Sequence, residues 1–339
     1  MATSTTCWVL DHPAHCQLFH PLIKMGSPLD MFVVTSRPVV EQMVAEAAGI
    51  TGSQCVSVQR PAGRRFLPLQ RELFAWRRLR KVKAKLARRK RIGHPLNQVV
   101  SKGAPLELMA AKKAGVGRRV YLTDTEVNHV AHRLALGAAT EVIVPSTWRE
   151  HLDGGFLAGC QETGIPVTII RGELPHVYLK QPHSRGAIES NQIPRVLHRT
   201  LRGGGIHDAN EIVESRSVIA DLGVEVTRLD EGQPASEVWR FPDMLGDYDG
   251  VVSESVTVAH EAVCLGVPTL LVSKAQRGFL DPHVGGGTLF QIESTVQGHA
   301  FDQTISAWRD AMMARKRGEH PSVGWSEAGV ELRRLLLQQ

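Results

Sequence analysis

The residues of this chain best suited to chemistry sit in short polar clusters that end apolar runs. The first is Asp11-His12-Pro13-Ala14-His15, after the apolar CWVL of residues 7–10, with His20 five residues on. A carboxylate and imidazoles in that density suit proton transfer or metal ligation. His12 and His15 belong to a strand-to-helix turn, and no paired cysteines support a metal there. The expectation is therefore no metal, with Asp11 and His15 lining a cleft, His12 in the turn and His20 on a helix surface. The second cluster, Ser101-Lys102-Gly103-Ala104-Pro105, is a small-residue turn whose backbone N–H groups could hold an anion. The third, Thr123-Asp124-Thr125-Glu126, offers two carboxylates near a helix start, with His129 and Arg133 downstream. Further on, His198-Arg199 end an apolar run before LRGGG. Ser253-Glu254-Ser255-Val256-Thr257 end another, with Glu261 one helical turn beyond. Each is also what an ordinary helix cap looks like. Several of them together favour a site if the fold brings them to one edge.

The elements that must position these clusters alternate. Apolar runs read as strands at 7–10, 30–36, 54–58, 97–102, 118–124, 141–146 and 166–172, with helices such as Pro38–Ala48 and Pro105–Ala114 between them. Residues 177–194 turn polar, with Pro and Gly, and read as a boundary. A second alternation follows. Strands are expected at 195–201, 224–230, 250–255 and 268–274, helices at about 209–222 and at 258–265, and a helical end over 304–337. This rhythm predicts an α/β protein with two Rossmann-like parallel-sheet domains, 1–182 and 183–339, facing a central cleft, the last helix packing back on the first domain. Ligands of such sheets bind beyond the carboxyl ends of the strands, which is where the clusters lie.

Composition narrows the class. With 339 residues and 42% hydrophobic content the chain can bury two cores. No apolar run reaches membrane-spanning length, and MATSTTCWVL has neither a basic leader nor a cleavage signal. Five scattered cysteines without a CxxC pair read as reduced thiols, so the expected location is cytoplasmic. Neither GGG, at 203–205 or 285–287, fits a GxGxxG or P-loop pattern. The net charge of +6 is uneven. Residues 64–91 hold thirteen Lys and Arg against the single acid Glu72, a local excess of twelve, so the rest of the chain carries a net −6. Within it Leu69, Leu73, Trp76, Leu79, Val82 and Leu86 recur at three- and four-residue steps, predicting an amphipathic basic helix. Beside a plain solvated face, such a helix suits an anionic membrane surface, at the inner face of the membrane, or nucleic acid. The lone Trp76 lies on the apolar stripe and gives base stacking little support.

The stretches LDHPAHCQLFHPLI, VVSKGAPLELMAAKKAG, YLTDTEVNHVAHRLALGAATEVIVPS, GELPHVYL and GVVSESVTVAHEAVCLGVPTLL resemble a family known as domain of unknown function 354. That family looks like part of the GT-B superfamily of glycosyltransferases and UDP-N-acetylglucosamine 2-epimerases. The resemblance implies that Ser253, Ser255 and Thr257 meet the phosphates of a nucleotide-sugar, with a UDP-sugar the first choice, and that Glu261 holds the ribose. It implies that His198, Arg199 and Arg202 assist on the donor side and that no cofactor is required. Glu254 departs from the family's glycines and sets a negative charge where a diphosphate would lie. It points away, or the donor pose differs, or nucleotide binding is lost.

His198-Arg199 and His132-Arg133 resemble stretches of the 2-epimerases. Gly103-Ala104 and Val130-Ala131 stand where those enzymes carry acids, which weakens the epimerase reading. Glycosyl transfer needs one base and a stabilised leaving diphosphate. Asp124 or Glu126 is expected as base, with His15 and Asp11 on the acceptor side and Ser101, Lys102, Gly103 and Arg133 as acceptor or anion contacts. The acceptor is expected to be lipid-linked or polymeric. A non-catalytic scaffold that binds nucleotide, anionic lipid or nucleic acid is the third reading.

Overall fold

A computed structural model describes residues 5–59, 68–181, 193–201, 213, 215–219, 224–230, 237–294, 298–319 and 324–337. Arg202, the GGG of 203–205 and most of the helix expected over 209–222 lie outside them, as does most of the expected linker. The chain divides into two compact units, Met1–Tyr178 with Glu327–Gln339, and Leu179–Ser326.

The first unit runs β1 (Thr6–Leu10), α1 (Pro13–Ile23), β2 (Met31–Thr35), α2 (Pro38–Glu46), β3 (Cys55–Val58), α3 (Pro68–Arg91), β4 (Gln98–Lys102), α4 (Pro105–Ala114), β5 (Arg118–Leu122), α5 (His129–Leu136), β6 (Glu141–Pro145), α6 (Phe156–Glu162) and β7 (Val167–Ile170). Every strand pairing is parallel, in the order β3-β2-β1-β4-β5-β6-β7. TCWVL and MFVVT are buried along their whole length, as strands covered on both faces must be. Prolines at the first helical positions of α1, α2 and α4 use a site where the missing N–H costs nothing.

The second unit runs β8 (Arg195–Thr200), α7 (Arg216–Ile219), β9 (Glu225–Asp230), α8 (Phe241–Met244), β10 (Gly250–Ser253), α9 (Val256–Cys264), β11 (Thr269–Val272), α10 (Asp281–Val284), β12 (Leu289–Ile292) and α11 (His299–Lys316). Its parallel sheet has the order β12-β11-β10-β8-β9. Helix α11 is pinned from inside. The Trp308 indole donates to the Pro268 carbonyl at 3.0 Å, and buried Arg315 donates to the carbonyls of Tyr248, Gly266 and Gly246. Three carbonyl acceptors make a buried guanidinium tolerable.

Helix α12 (Ala328–Leu337) belongs to the first unit. Gln98 and Arg118 donate to the carbonyls of Leu336 and Leu335, and Glu331 accepts from the Arg171 amide. The helical end expected over 304–337 is thus two helices in two units. Gly318, at φ 78°, closes α11 in the left-handed conformation that glycine adopts without strain. Strand β12 was not expected. Its four residues follow a glycine run and carry no alternation, and only pairing with β11 makes them a strand.

Helix α3 spans Pro68–Arg91, as its periodicity predicts, but the apolar stripe does not hold throughout. Leu79, Val82 and Leu86 join the core, whereas Leu73 and Trp76 are 44% and 53% exposed. Trp76 lies under the Arg80 guanidinium at 4.4 Å. Arg78, a cation, is buried beside Leu79. Among the described residues no helix is long and apolar enough to cross a membrane.

Candidate functional site

In each sheet the order of the strands reverses at one place, between β1 and β4 in the first unit and between β8 and β10 in the second. The two helices that follow such a strand pair leave on opposite faces and open a crevice at the carboxyl edge. Four of the five clusters picked out from sequence stand at these two places: Asp11 after β1 and Ser101-Lys102-Gly103 at the end of β4; His198-Arg199 in β8 and Ser253-Glu254-Ser255 at the end of β10. The fifth, Thr123-Asp124-Thr125-Glu126, follows the neighbouring β5.

At the first crevice the charges are organised in pairs. Buried Arg78 donates to Asp11 at 3.1 Å and to Glu107, in the first turn of α4, at 2.5 Å. The Thr35 hydroxyl, at the end of β2, also donates to Asp11. Burial opposes the Arg78 cation, but Glu107 and Asp11 outweigh it and leave its pKa above the ordinary guanidinium value. Burial pushes the Glu107 carboxyl up against the pull of Arg78. A cavity of about 210 Å³ opens here, lined in part by Asp11, Arg78, Gly103, Ala104 and Glu107.

Beside it Lys102 pairs with Asp124 at 2.7 Å, both side chains mostly buried. His15 lies within the fields of Lys102, His12, Asp11 and Asp124. Its pKa is lowered to about 3, first by burial and then by the Lys102 charge, so the ring is neutral near pH 7. His12 caps α1 by accepting from the Ala14 amide.

Of the anion contacts expected at this edge, Ser101, Lys102 and Gly103 are engaged within the fold. The Ser101 hydroxyl donates to the Ala104 carbonyl, and the Gly103 amide donates to the Leu122 carbonyl from a φ of +60°. Glu126 is buried and accepts from the Arg149 amide. His132 is buried, stacks on Phe156 at 4.3 Å, and meets the carbonyls of Thr125 and Glu126 through Nε2. Arg133 is exposed on α5. His12, His15 and His20 do not gather as metal ligands among the described residues.

The second crevice is built from hydroxyls and amides. Ser253 and Ser255 lock the turn: the Ser255 amide donates to the Ser253 hydroxyl, which donates to the Ser255 carbonyl. The Ser255 hydroxyl caps α9 by accepting from the Val258 amide. Thr257 is exposed in the first turn and Glu261 is buried one turn on.

Glu254 turns inward. Its carboxylate accepts from the Leu201 amide at 2.7 Å and from the Ser215 amide and hydroxyl at 3.0 and 2.7 Å. His198 meets the same Ser215 hydroxyl at 2.7 Å through Nε2, and since that hydroxyl donates to Glu254, His198 is the donor. Burial lowers the His198 pKa against the pull of Glu254. The half-buried Arg199 donates to the Asp230 carbonyl.

Sequence reasoning missed Arg78 and Glu107. The one signal for Arg78 was its place beside the apolar stripe of a helix otherwise solvated in its charges. Glu107 had only its position in the first turn after Pro105.

No protein-family model and no curated protein matches the chain. Solved structures do match over almost its whole length. A structure of S. aureus MnaA with UDP is 12% identical over 98% of this chain and 95% of that one, with a TM-score of 0.62. The UDP-GlcNAc 2-epimerase of Neisseria meningitidis bound to UDP-GlcNAc is 12% identical over 98% and 99%, with 0.58. A UDP-glucosyltransferase of Polygonum tinctorium is 14% identical over 99% of both chains, with 0.53. The protein has the α/β fold with two parallel sheets that GT-B glycosyltransferases and these epimerases share.

Proposed function

We propose that the chain is a nucleotide-sugar-dependent glycosyltransferase of the GT-B type, binding its donor, a UDP-sugar first, in the Leu179–Ser326 unit and its acceptor in the first unit. The observation that carries this reading is the disposition of Glu254. With its charge spent on Leu201 and Ser215, the turn before α9 offers small hydroxyls and the positive end of a nine-residue helix. A diphosphate suits that combination. Asp124 takes the proton from an acceptor hydroxyl, the hydroxyl oxygen bonds to the sugar's anomeric carbon, and the bond from that carbon to the nucleotide diphosphate breaks. The leaving diphosphate's charge is met by the α9 N-terminus with Ser255, Thr257 and Arg199. Glu261 is assigned to the ribose, and His15 and Asp11 to the acceptor. The buried Glu126 is the less suited base. The exposed cations of α3, among them Arg77, Lys81, Lys83 and Arg88, suit a polyanionic or lipid-linked acceptor.

A thermal-shift screen over UDP-, GDP-, CMP- and dTDP-sugars identifies the donor, with the largest rise in Tm expected for a UDP-sugar. With that donor and an acceptor, Asp124→Asn is expected to lower turnover by about 10²–10⁴-fold while keeping the donor-induced shift. Normal turnover in both Asp124→Asn and Glu126→Gln would sink the assignment of the base. The runner-up is a 2-epimerase, favoured by the higher TM-score of the Neisseria meningitidis epimerase over that of the glucosyltransferase. It predicts exchange of the sugar's C2 proton with solvent deuterium without any acceptor. The transferase reading predicts none.

A further inference from the structure

The second unit carries a buried cluster that the transferase reading leaves unused. His260 and Cys264 are one helical turn apart on α9, so both project from the same face. His283 reaches them from α10. The ligand atoms of these three side chains lie within 4.8 Å of one another. All three are enclosed, at 4%, 0% and 8% exposure. The His260 ring is held in place by Phe279, stacked at 4.3 Å and 20°, and stands edge-on to His283 at 6.0 Å.

Two imidazoles and one thiol are a borderline-soft donor set. Among divalent ions it matches zinc, which binds thiolate sulfur at about 2.3 Å and imidazole nitrogen at about 2.0–2.1 Å. Donors of a tetrahedral ion then stand roughly 3.3–3.8 Å apart, within the spread the three side chains already have. Calcium and magnesium want oxygen ligands, which these three residues do not offer.

We propose that His260, Cys264 and His283 form a zinc-class metal site that ties the C-terminal half of α9 to α10. Binding displaces the Cys264 thiol proton to solvent and leaves a thiolate–metal bond, with the fourth position open to water or a further ligand. The proposal is independent of glycosyl transfer.

The test uses the tag-free full chain, stripped by a chelator and titrated with Co(II). Tetrahedral d–d bands and a thiolate-to-cobalt charge-transfer band are expected, saturating at one ion per chain and bleached by Zn(II). Cys264→Ser should abolish the charge-transfer band, while Cys55→Ser, at a thiol that is not part of the cluster, keeps it. His283→Gln should weaken Co(II) binding by at least about tenfold, the loss typical when even an outer partner of a metal ligand is removed. Absence of the charge-transfer band in the wild type overturns the proposal, as does a band that survives Cys264→Ser. If Cys264→Ser does not fold, the wild-type titration and His283→Gln decide: unchanged affinity in His283→Gln overturns the site.

Discussion

The two crevices occupy the same place in two parallel sheets and are built from opposite materials. The first holds five charged side chains, Asp11, Arg78, Glu107, Lys102 and Asp124, cross-paired at short distances. The second shows hydroxyls and a helix start, with the Glu254 carboxylate folded back onto the Leu201 and Ser215 amides. Paired charges in a partly desolvated pocket can move a proton and orient a polar acceptor. Neutral donors at a helix N-terminus hold phosphate without a counter-charge to be displaced. The same topology thus carries two kinds of work, and the side chains after each strand decide which.

The contrast can be broken most severely at Arg78. Arg78→Ala leaves the buried Glu107 and the half-buried Asp11 without their cation and is expected to cost roughly 3–5 kcal/mol, read by urea denaturation. An unchanged midpoint would mean that the pairs at the first crevice carry no weight.

Acid should sharpen the difference next. The His132 pKa is lowered to about 4, chiefly by burial. Between that value and the unfolded one of about 6.5, the unfolded chain binds more protons, so stability falls as pH drops through this window. Full protonation of the unfolded state at His132 costs the fold about 3 kcal/mol. His132→Gln should flatten the pH dependence of Tm between about pH 4 and 7 by that share. An identical slope in the variant would refute it.

The smallest effect belongs to the second crevice. Ser255→Ala removes the α9 cap and is expected to cost about 1 kcal/mol of stability. It should also shrink the Tm rise given by the donor nucleotide-sugar, whereas the same shift should survive in Asp124→Asn.

Much of this arrangement was legible beforehand. Strands read from apolar runs were found at all eleven expected places; central strands buried on both faces must be almost wholly apolar, whereas the edge strand β9 has no buried residue. The clusters at their ends were legible for the same reason, since polarity returns where the sheet stops. What was not legible was the use of each side chain. Arg78 reads as one cation among eleven on a basic helix, yet it is buried between two carboxylates from segments 67 and 29 residues away. Ser101 and Gly103 read as donors for an anion, yet the turn consumes both. Strand β12 lacked any periodic signal of its own.

By itself the sequence determined the elements and their class, since periodicity and burial are local properties of the chain. It also determined the concentration of positive charge in one helix. Only the tertiary structure decided the strand orders that set the end of β1 beside β4 and Arg199 beside Ser253. It alone turned Glu254 away from the helix start and brought His283 to His260 and Cys264. Those outcomes depend on which side chains become neighbours across distant segments and on how each buried polar group finds a partner. No spacing along the chain encodes that.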